Sequence, residues 1–272
     1  MRTFARCLST VLVLLALCAL PQPAGADATI WVGDSTPASC TEAALQRAVE
    51  YARRNPGRLI KFNCGREPVS ILLIEEPLTF PDNTTIDGDG LITLIAAAFV
   101  PGVRLLVDHA TTVVLRELTL INAHLSRIVN QGTLTIDRSN VSSIYGILNE
   151  GTLTVMNSSI FDSGHDFGIG IDNEGTLTVK NSVFTSNTGF YGGGIAAYGG
   201  FLTVKDSAFS GNTAFGYGGG IYLQTGTVAV YNSKITQNTA TVDGGGIYRC
   251  CGGTLRLEKT SVTGNTPNDI AR

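Results

Sequence analysis

The sequence is poor in several things at once, and each shortage excludes something. After Cys7–Leu20 there is no apolar run near the about 20 residues that a membrane-spanning helix needs. Cations are outnumbered, with 19 Lys and Arg against 22 Asp and Glu, and they nowhere cluster. A nucleic-acid partner, which needs a basic face to neutralise phosphates, is therefore not expected. The three histidines and six cysteines show no zinc-ligand spacing, and neither do His109 and His124 beside Arg127. Helical periodicity is confined to 41–54 (TEAALQRAVEYARR), where Leu45, Ala48, Val49 and Ala52 form one stripe. Ser39 or Thr41 is placed to cap it, and Asn55-Pro56-Gly57 to stop it.

The N-terminus reads as an address. Arg2 and Arg6 precede the apolar run, and Ala24-Gly25-Ala26 has the small-x-small pattern of a cleavage site. Residues 1–26 are expected to be a signal peptide, leaving 27–272 as one domain that is secreted or held in the cell envelope. Losing the two arginines takes the formal charge from −3 to −5. Four cysteines then remain. In an exported chain Cys40 and Cys64 suit a disulfide that staples the N-terminal end. Cys250 and Cys251 are adjacent, and sequence leaves their pairing open.

What the chain has in quantity is glycine, 32 residues of it, and much of it recurs in register. Six segments start at Gly132, Gly151, Gly175, Gly200, Gly226 and Gly253, as in GTLTVMNSSI and GTLTVKNSVF. The steps between them are 19, 24, 25, 26 and 27 residues, too short for a helix pair and right for one solenoid coil. Two and four residues after each glycine stand apolar pairs such as Leu153/Val155 and Leu177/Val179, the period of one strand face. Further apolar columns run through Val141, Ile160, Phe184, Phe209, Ile235 and Val262, and through Ile147, Ile171, Ile195, Ile221 and Ile247. Polar columns mark corners: Ser139, Ser158, Ser182, Ser207, Ser233 and Thr260, then Asn187, Asn212, Asn238 and Asn265. Burying about four side chains per coil contributes roughly 1.5–3 kcal/mol each, less than the ordering cost of a whole coil. One coil cannot stand alone, so the coils must stack.

The fold expected is all-β: a single-stranded right-handed parallel β-helix of about nine coils, roughly 40 Å long at about 4.8 Å per coil, with 41–54 capping the open N-terminal end. No corresponding cap is visible in 264–272, so self-association through the last coil is an expected possibility. The FTSN at Phe184–Asn187, the FSGN at Phe209–Asn212 and the GGGI segments resemble polymorphic-outer-membrane-protein-type repeats, most clearly over 130–266. These belong to the pectin-lyase-like right-handed β-helices, an architecture that hosts polysaccharide lyases, hydrolases, adhesins and passenger domains.

Candidate chemistry is sparse. Glu150 and Glu174 precede successive repeat glycines, and one coil step is close to the about 5–5.5 Å between the carboxylates of retaining glycosidases. Asp172 is close enough in sequence to join them in a Ca²⁺ site. Asp162, His165 and Asp166 form a second acid and base group in FDSGHDFG. The resemblance implies more than this for an enzyme: a Ca²⁺-binding acid cluster with a base, or several aspartates and a His on neighbouring coils. Asp206 instead has Asn181 and Asn232 as column neighbours. Aromatic residues are better organised. Phe167, Tyr191 and Tyr217 form one column, with Phe190 and Phe215 beside it, and Tyr222 and Tyr248 form another. Such rings stabilise a solenoid and also suit a glycan chain. The expectation is a non-catalytic, adhesin-like rod without a cofactor that binds a polysaccharide or cell-surface protein. The alternative is a polysaccharide lyase or glycoside hydrolase, with Ca²⁺ if a lyase.

Overall fold

Alternating Thr-Leu-Thr-Val stretches become strands because one face can be buried against the opposite wall of the same coil. A computed structural model describes residues 29–74, 77–96, 105–122, 127–143, 145–164 and 169–272. The chain winds as a parallel β-solenoid of roughly eight turns, with one α-helix near its N-terminus. Each turn lays strands on three faces. On the first, Thr133–Asp137, Thr152–Met156, Thr176–Lys180, Phe201–Lys205, Thr227–Tyr231 and Thr254–Glu258 stack in unbroken register. The second carries Asn140–Ser143, Ser159–Phe161, Val183–Thr185, Ala208–Ser210, Lys234–Thr236 and Ser261–Thr263. The third is a nine-stranded sheet from Leu78–Thr79 to Ile270–Ala271. Nine stacked strands enclose eight intervals, which reconciles the turn count with the nine coils expected. A three-stranded sheet, Thr188–Gly189, Thr213–Ala214 and Thr239–Ala240, adds a short fourth side to three coils.

The inward columns fill the core. Leu153, Leu177, Val155, Val179, Ile171, Ile195 and Ile221 are fully buried. Phe184 and Phe209 stack across one coil step with ring centroids 4.6 Å apart. At the N-terminal end Thr41 caps the helix Glu42–Arg54, its hydroxyl accepting from the Ala44 amide at 3.2 Å. Leu45, Ala48, Val49 and Ala52 join the core. Glu42 turns its carboxylate onto the Ile74 amide at 3.0 Å. The sequence pattern does not disclose Thr29–Val32, which pairs with Leu59–Phe62 across that helix and forms the outermost rung. A disulfide joins Cys40 to Cys64, with Cα atoms 5.7 Å apart.

Corners are set by backbone geometry and by buried amides. Between the first and second faces every coil from Asp89 onward puts one residue in the left-handed region: Glu117, Arg138, Asn157, Asn181, Asp206, Asn232 and Lys259. Asn and Asp tolerate that conformation better than the others. A triple-glycine corner needs glycine for two reasons. Gly192 has φ +68°, and a Cβ on Gly194 would lie 2.6 Å from the Gly220 carbonyl oxygen and 2.9 Å from the Phe209 ring. At the fourth side the buried amides of Asn187, Asn212 and Asn238 each donate to the Oδ1 of the next, at 2.8, 2.8 and 3.0 Å, ending on Asn265. Each Oδ1 also accepts the backbone N–H of the preceding asparagine, and each Nδ2 reaches a carbonyl of the coil before. Asp269 ends the row, its Oδ1 accepting from the Asn265 side chain and backbone at 2.9 Å.

The last rung is less sealed than those before it. Leu255, Leu257 and Val262 are half-buried, whereas Val228, Val230 and Ile235 one coil earlier are fully buried.

Asn212→Leu removes four hydrogen bonds and orphans buried partners, so it is expected to cost about 2–4 kcal/mol in urea unfolding. Lys259→Asn places a residue suited to positive φ at an exposed corner, and is expected to stabilise by about 0.5–1 kcal/mol.

Candidate functional site

The third face puts its alternate residues outward, and in the middle coils these are Leu148, Asp172, Ala196, Tyr222 and Tyr248. Five of the eight tyrosines gather here. Ala196 is small enough to leave a gap, and Tyr191 enters from the preceding corner to stack on Tyr222 at 4.8 Å. One coil later Tyr217 comes from the same corner onto Tyr248 at 4.4 Å. Tyr222 and Tyr248 lie parallel at 5.9 Å with an interplanar angle of 2°. Tyr198 closes against Tyr222 at 5.9 Å, and Phe190 meets Tyr191 edge-on at 4.8 Å. Tyr222, Ala196 and Ile169 are buried under this arrangement, while Tyr191, Tyr198, Tyr217 and Tyr248 are half-buried.

 

Tyr191 and Tyr217 also stack along their own column, at 6.1 Å with an interplanar angle of 19°. The two aromatic columns interleave into one cluster, and the rings spend their faces on each other, so what they offer outward is edges and hydroxyls. The Tyr222 hydroxyl points to Cys250 Sγ at 3.9 Å. Those of Tyr191, Tyr198, Tyr217 and Tyr248 have no hydrogen-bond partner among the described residues. Tyr198 carried no sequence signal, because its column neighbours are Glu174 and Gln224.

Asp172 stands one coil before Ala196 on the same outward column. Its Oδ1 is buried without a hydrogen-bond partner among the described residues. Burial raises the carboxyl to about 6; Arg127 draws it down, and Glu174 and Glu150 push it up. Tyr198 is raised as well, by burial first and then by Asp172. Tyr222 is raised by burial and by its tyrosine neighbours.

The other sequence candidates are placed as follows. Glu150 and Glu174 are exposed and one coil apart, each directly after a buried asparagine of a second amide row, Asn130, Asn149 and Asn173. Glu150 accepts from Gln131 Nε2 at 2.8 Å. Glu150, Asp172 and Glu174 do not converge as a metal-ligand group. Among the described residues the carboxylates that do converge, within 4.8 Å, are Asp87, Asp89 and Glu117. Cations already answer that group: Lys61 contacts Asp89 at 2.8 Å and Asp87 at 3.8 Å, Arg116 binds Asp87, and Arg138 binds Glu117 at 2.8 Å. Burial works to raise Asp87, but its bonds to Arg116 and the Asp89 amide outweigh that and hold it below the usual carboxylate range. Asp162 is exposed at φ +48°, in a corner column shared with Ser186, Gly211, Gln237 and Gly264. That column gives it a turn-forming role. His165, Asp166 and Phe167 lie outside the described residues.

The Asp172 shift has a definite pH consequence. With a folded value raised above the ordinary 3.8, the native state holds a proton that the unfolded chain releases. The resulting penalty is absent below about pH 4, grows up to about pH 6 and is complete above it. Asp172→Asn is therefore expected to stabilise the protein by about 1–2 kcal/mol at pH 8 and by little at pH 4, read from urea unfolding at both values.

A family model described as the right-handed beta helix region matches residues 125–271. It covers the coils that carry the tyrosine cluster and Asp172, and it does not make the finer assignment to polymorphic-outer-membrane-protein-type repeats. No curated protein and no solved structure matches the chain. With more than half its length matched and its strands wound into a parallel solenoid, the chain belongs to the right-handed beta helix family.

Proposed function

We propose that the chain is an exported, non-catalytic, adhesin-like rod that binds a glycan along the tyrosine cluster of its third face. The observation that carries this reading is the row of half-buried tyrosines whose hydroxyls have no hydrogen-bond partner among the described residues. Sugars present both hydroxyls and apolar C–H surface, which suits tyrosine edges that combine an apolar body with a polar tip. The row runs along the solenoid axis, so an extended polymer can lie along it with successive units meeting successive coils. Export is part of the proposal and rests on the N-terminal address and on the two disulfides.

The alternative, a polysaccharide lyase or glycoside hydrolase, draws its support from Glu150 and Glu174, exposed and one coil apart. Its weakness is the lack of a described base beside them.

Calorimetric titration of the purified protein with neutral and acidic polysaccharides tests the proposal. New reducing or unsaturated ends are assayed in parallel, with and without Ca²⁺. Binding without product is expected, weakened about 3–10-fold by Tyr191→Phe or Tyr248→Phe, which keep the ring and remove the hydroxyl. Phe201→Ser, on the exposed first face, is expected to change nothing. Binding that ignores the tyrosine variants, or no binding at all, contradicts the proposal. Product formation lost in Glu150→Gln or Glu174→Gln would establish the enzyme reading instead.

A further inference from the structure

The two disulfides sit in opposite surroundings. Cys40 and Cys64 are 5% and 4% exposed and belong to the buried core. Cys250 and Cys251 are also bonded to each other, in a turn that follows the strand Ile247–Arg249, with Cys250 half-buried and Cys251 exposed. That turn is anchored on its first residue: the Cys250 amide donates to the Leu223 carbonyl at 2.8 Å, and its own carbonyl accepts from Gly253 at 3.2 Å. The pair borders a cavity of about 640 Å³ whose walls include Tyr248, Arg249, Leu255 and Arg272. This volume is in the range of small-molecule sites. The lining has two guanidinium groups and no acidic side chain.

We propose that Cys250–Cys251 is a thiol-exchange site, and that the cavity beside it takes an anionic low-molecular-weight thiol, one that carries carboxylates. The proposal goes beyond the glycan reading and does not depend on it. Three features support it. An exposed disulfide is open to attack along the S–S axis, whereas a sealed one is not. Arginines near the sulfurs raise the local concentration of an anionic attacker and favour the thiolate that leaves. The carboxylates of the attacking thiol find Arg249 and Arg272 in the lining of the same cavity.

The exchange balances without any further reactant. The thiolate RS⁻ attacks Sγ of Cys251, forming an R–S–Sγ bond as the Sγ–Sγ bond breaks, and the electron pair leaves on Cys250 Sγ as a thiolate. A second RS⁻ attacks the R-bearing sulfur of that mixed disulfide and releases the Cys251 thiolate together with RSSR. Two thiols are oxidised and one disulfide is reduced.

The test uses the folded full chain with glutathione, 2-mercaptoethanol and cysteamine at matched thiolate concentrations, quenched with iodoacetamide and mapped by peptide mass. Labelling at Cys250 and Cys251 is expected at least about tenfold faster than at Cys40 and Cys64. Glutathione is expected to outpace cysteamine by about 3–10-fold, a preference that shrinks in 1 M salt and in Arg249→Gln. In Cys250→Ser treated with oxidised glutathione, the Cys251 thiolate is expected to attack the glutathione disulfide, forming the mixed disulfide as one glutathione thiolate leaves, and to keep it because no neighbouring thiol can expel it. Circular dichroism confirms that each variant is folded. Opening of Cys40–Cys64 first or at the same rate would overturn the proposal. So would cysteamine reacting as fast as glutathione, no reaction at Cys250–Cys251, or no mixed disulfide when a folded Cys250→Ser protein is treated with oxidised glutathione.

Discussion

Everything in this molecule depends on successive coils staying one strand spacing apart and in step, and buried side-chain amides enforce that at the corners. An asparagine amide both donates and accepts, so a stack of them can satisfy itself only when each coil offers the same group at the same height. Asn187, Asn212, Asn238 and Asn265 do so on one edge, and Asn130, Asn149 and Asn173 on another. A slip of one residue would point these polar groups elsewhere and leave buried donors without acceptors. The apolar columns supply most of the driving force for folding and also oppose a one-residue slip, which would turn them outward. A two-residue slip would keep Leu and Val on the inner face, and it is the amides that would not tolerate it.

The ends of the rows show how each is terminated. Asp269 takes the place of a further asparagine and accepts what Asn265 donates. Asn173 turns its amide back onto the Gly175 carbonyl at 3.2 Å. At the other end Asn130 pairs in register with Val107, which offers no donor, and Asn130 Oδ1 is left unsatisfied. The same register that fixes the core also fixes what stands outside it. Tyr222 and Tyr248 come one coil apart because Ile221 and Ile247 do, and the Ala196 position in the coil before leaves the space that Tyr191 fills.

The coils were legible in the sequence because burial repeats with the coil, and the Gly, Leu, Ser and Asn columns each had several members in agreement. Thr29–Val32 was not legible: it has no place in the repeat and pairs across an intervening helix. The left-handed corner was legible in part, since Asn157, Asn181 and Asn232 announce it while Arg138 and Lys259 hide it. Four tyrosines of the candidate site, Tyr191, Tyr217, Tyr222 and Tyr248, could be named from columns, but not Tyr198 and not the arrangement of the cluster. Tyr191 stacks on Tyr217 and also on Tyr222, and the second contact depends on the small size of Ala196, a residue with no signal of its own. Asp172 stood out as an acid near other acids, while the feature that distinguishes it, a buried oxygen without a partner, arises only from packing.

The central claim is that the solenoid's register builds an extended binding row from single residues of successive coils. Calorimetry with a series of oligosaccharides of increasing length, drawn from a polysaccharide that binds, tests it most directly. From the rung of Asp172 to that of Tyr248 there are three coil steps, about 14 Å. The account predicts affinity that climbs with each added sugar until the oligosaccharide spans that distance, and then levels off. Affinity that is already complete with a single sugar, or that is independent of length, would contradict it.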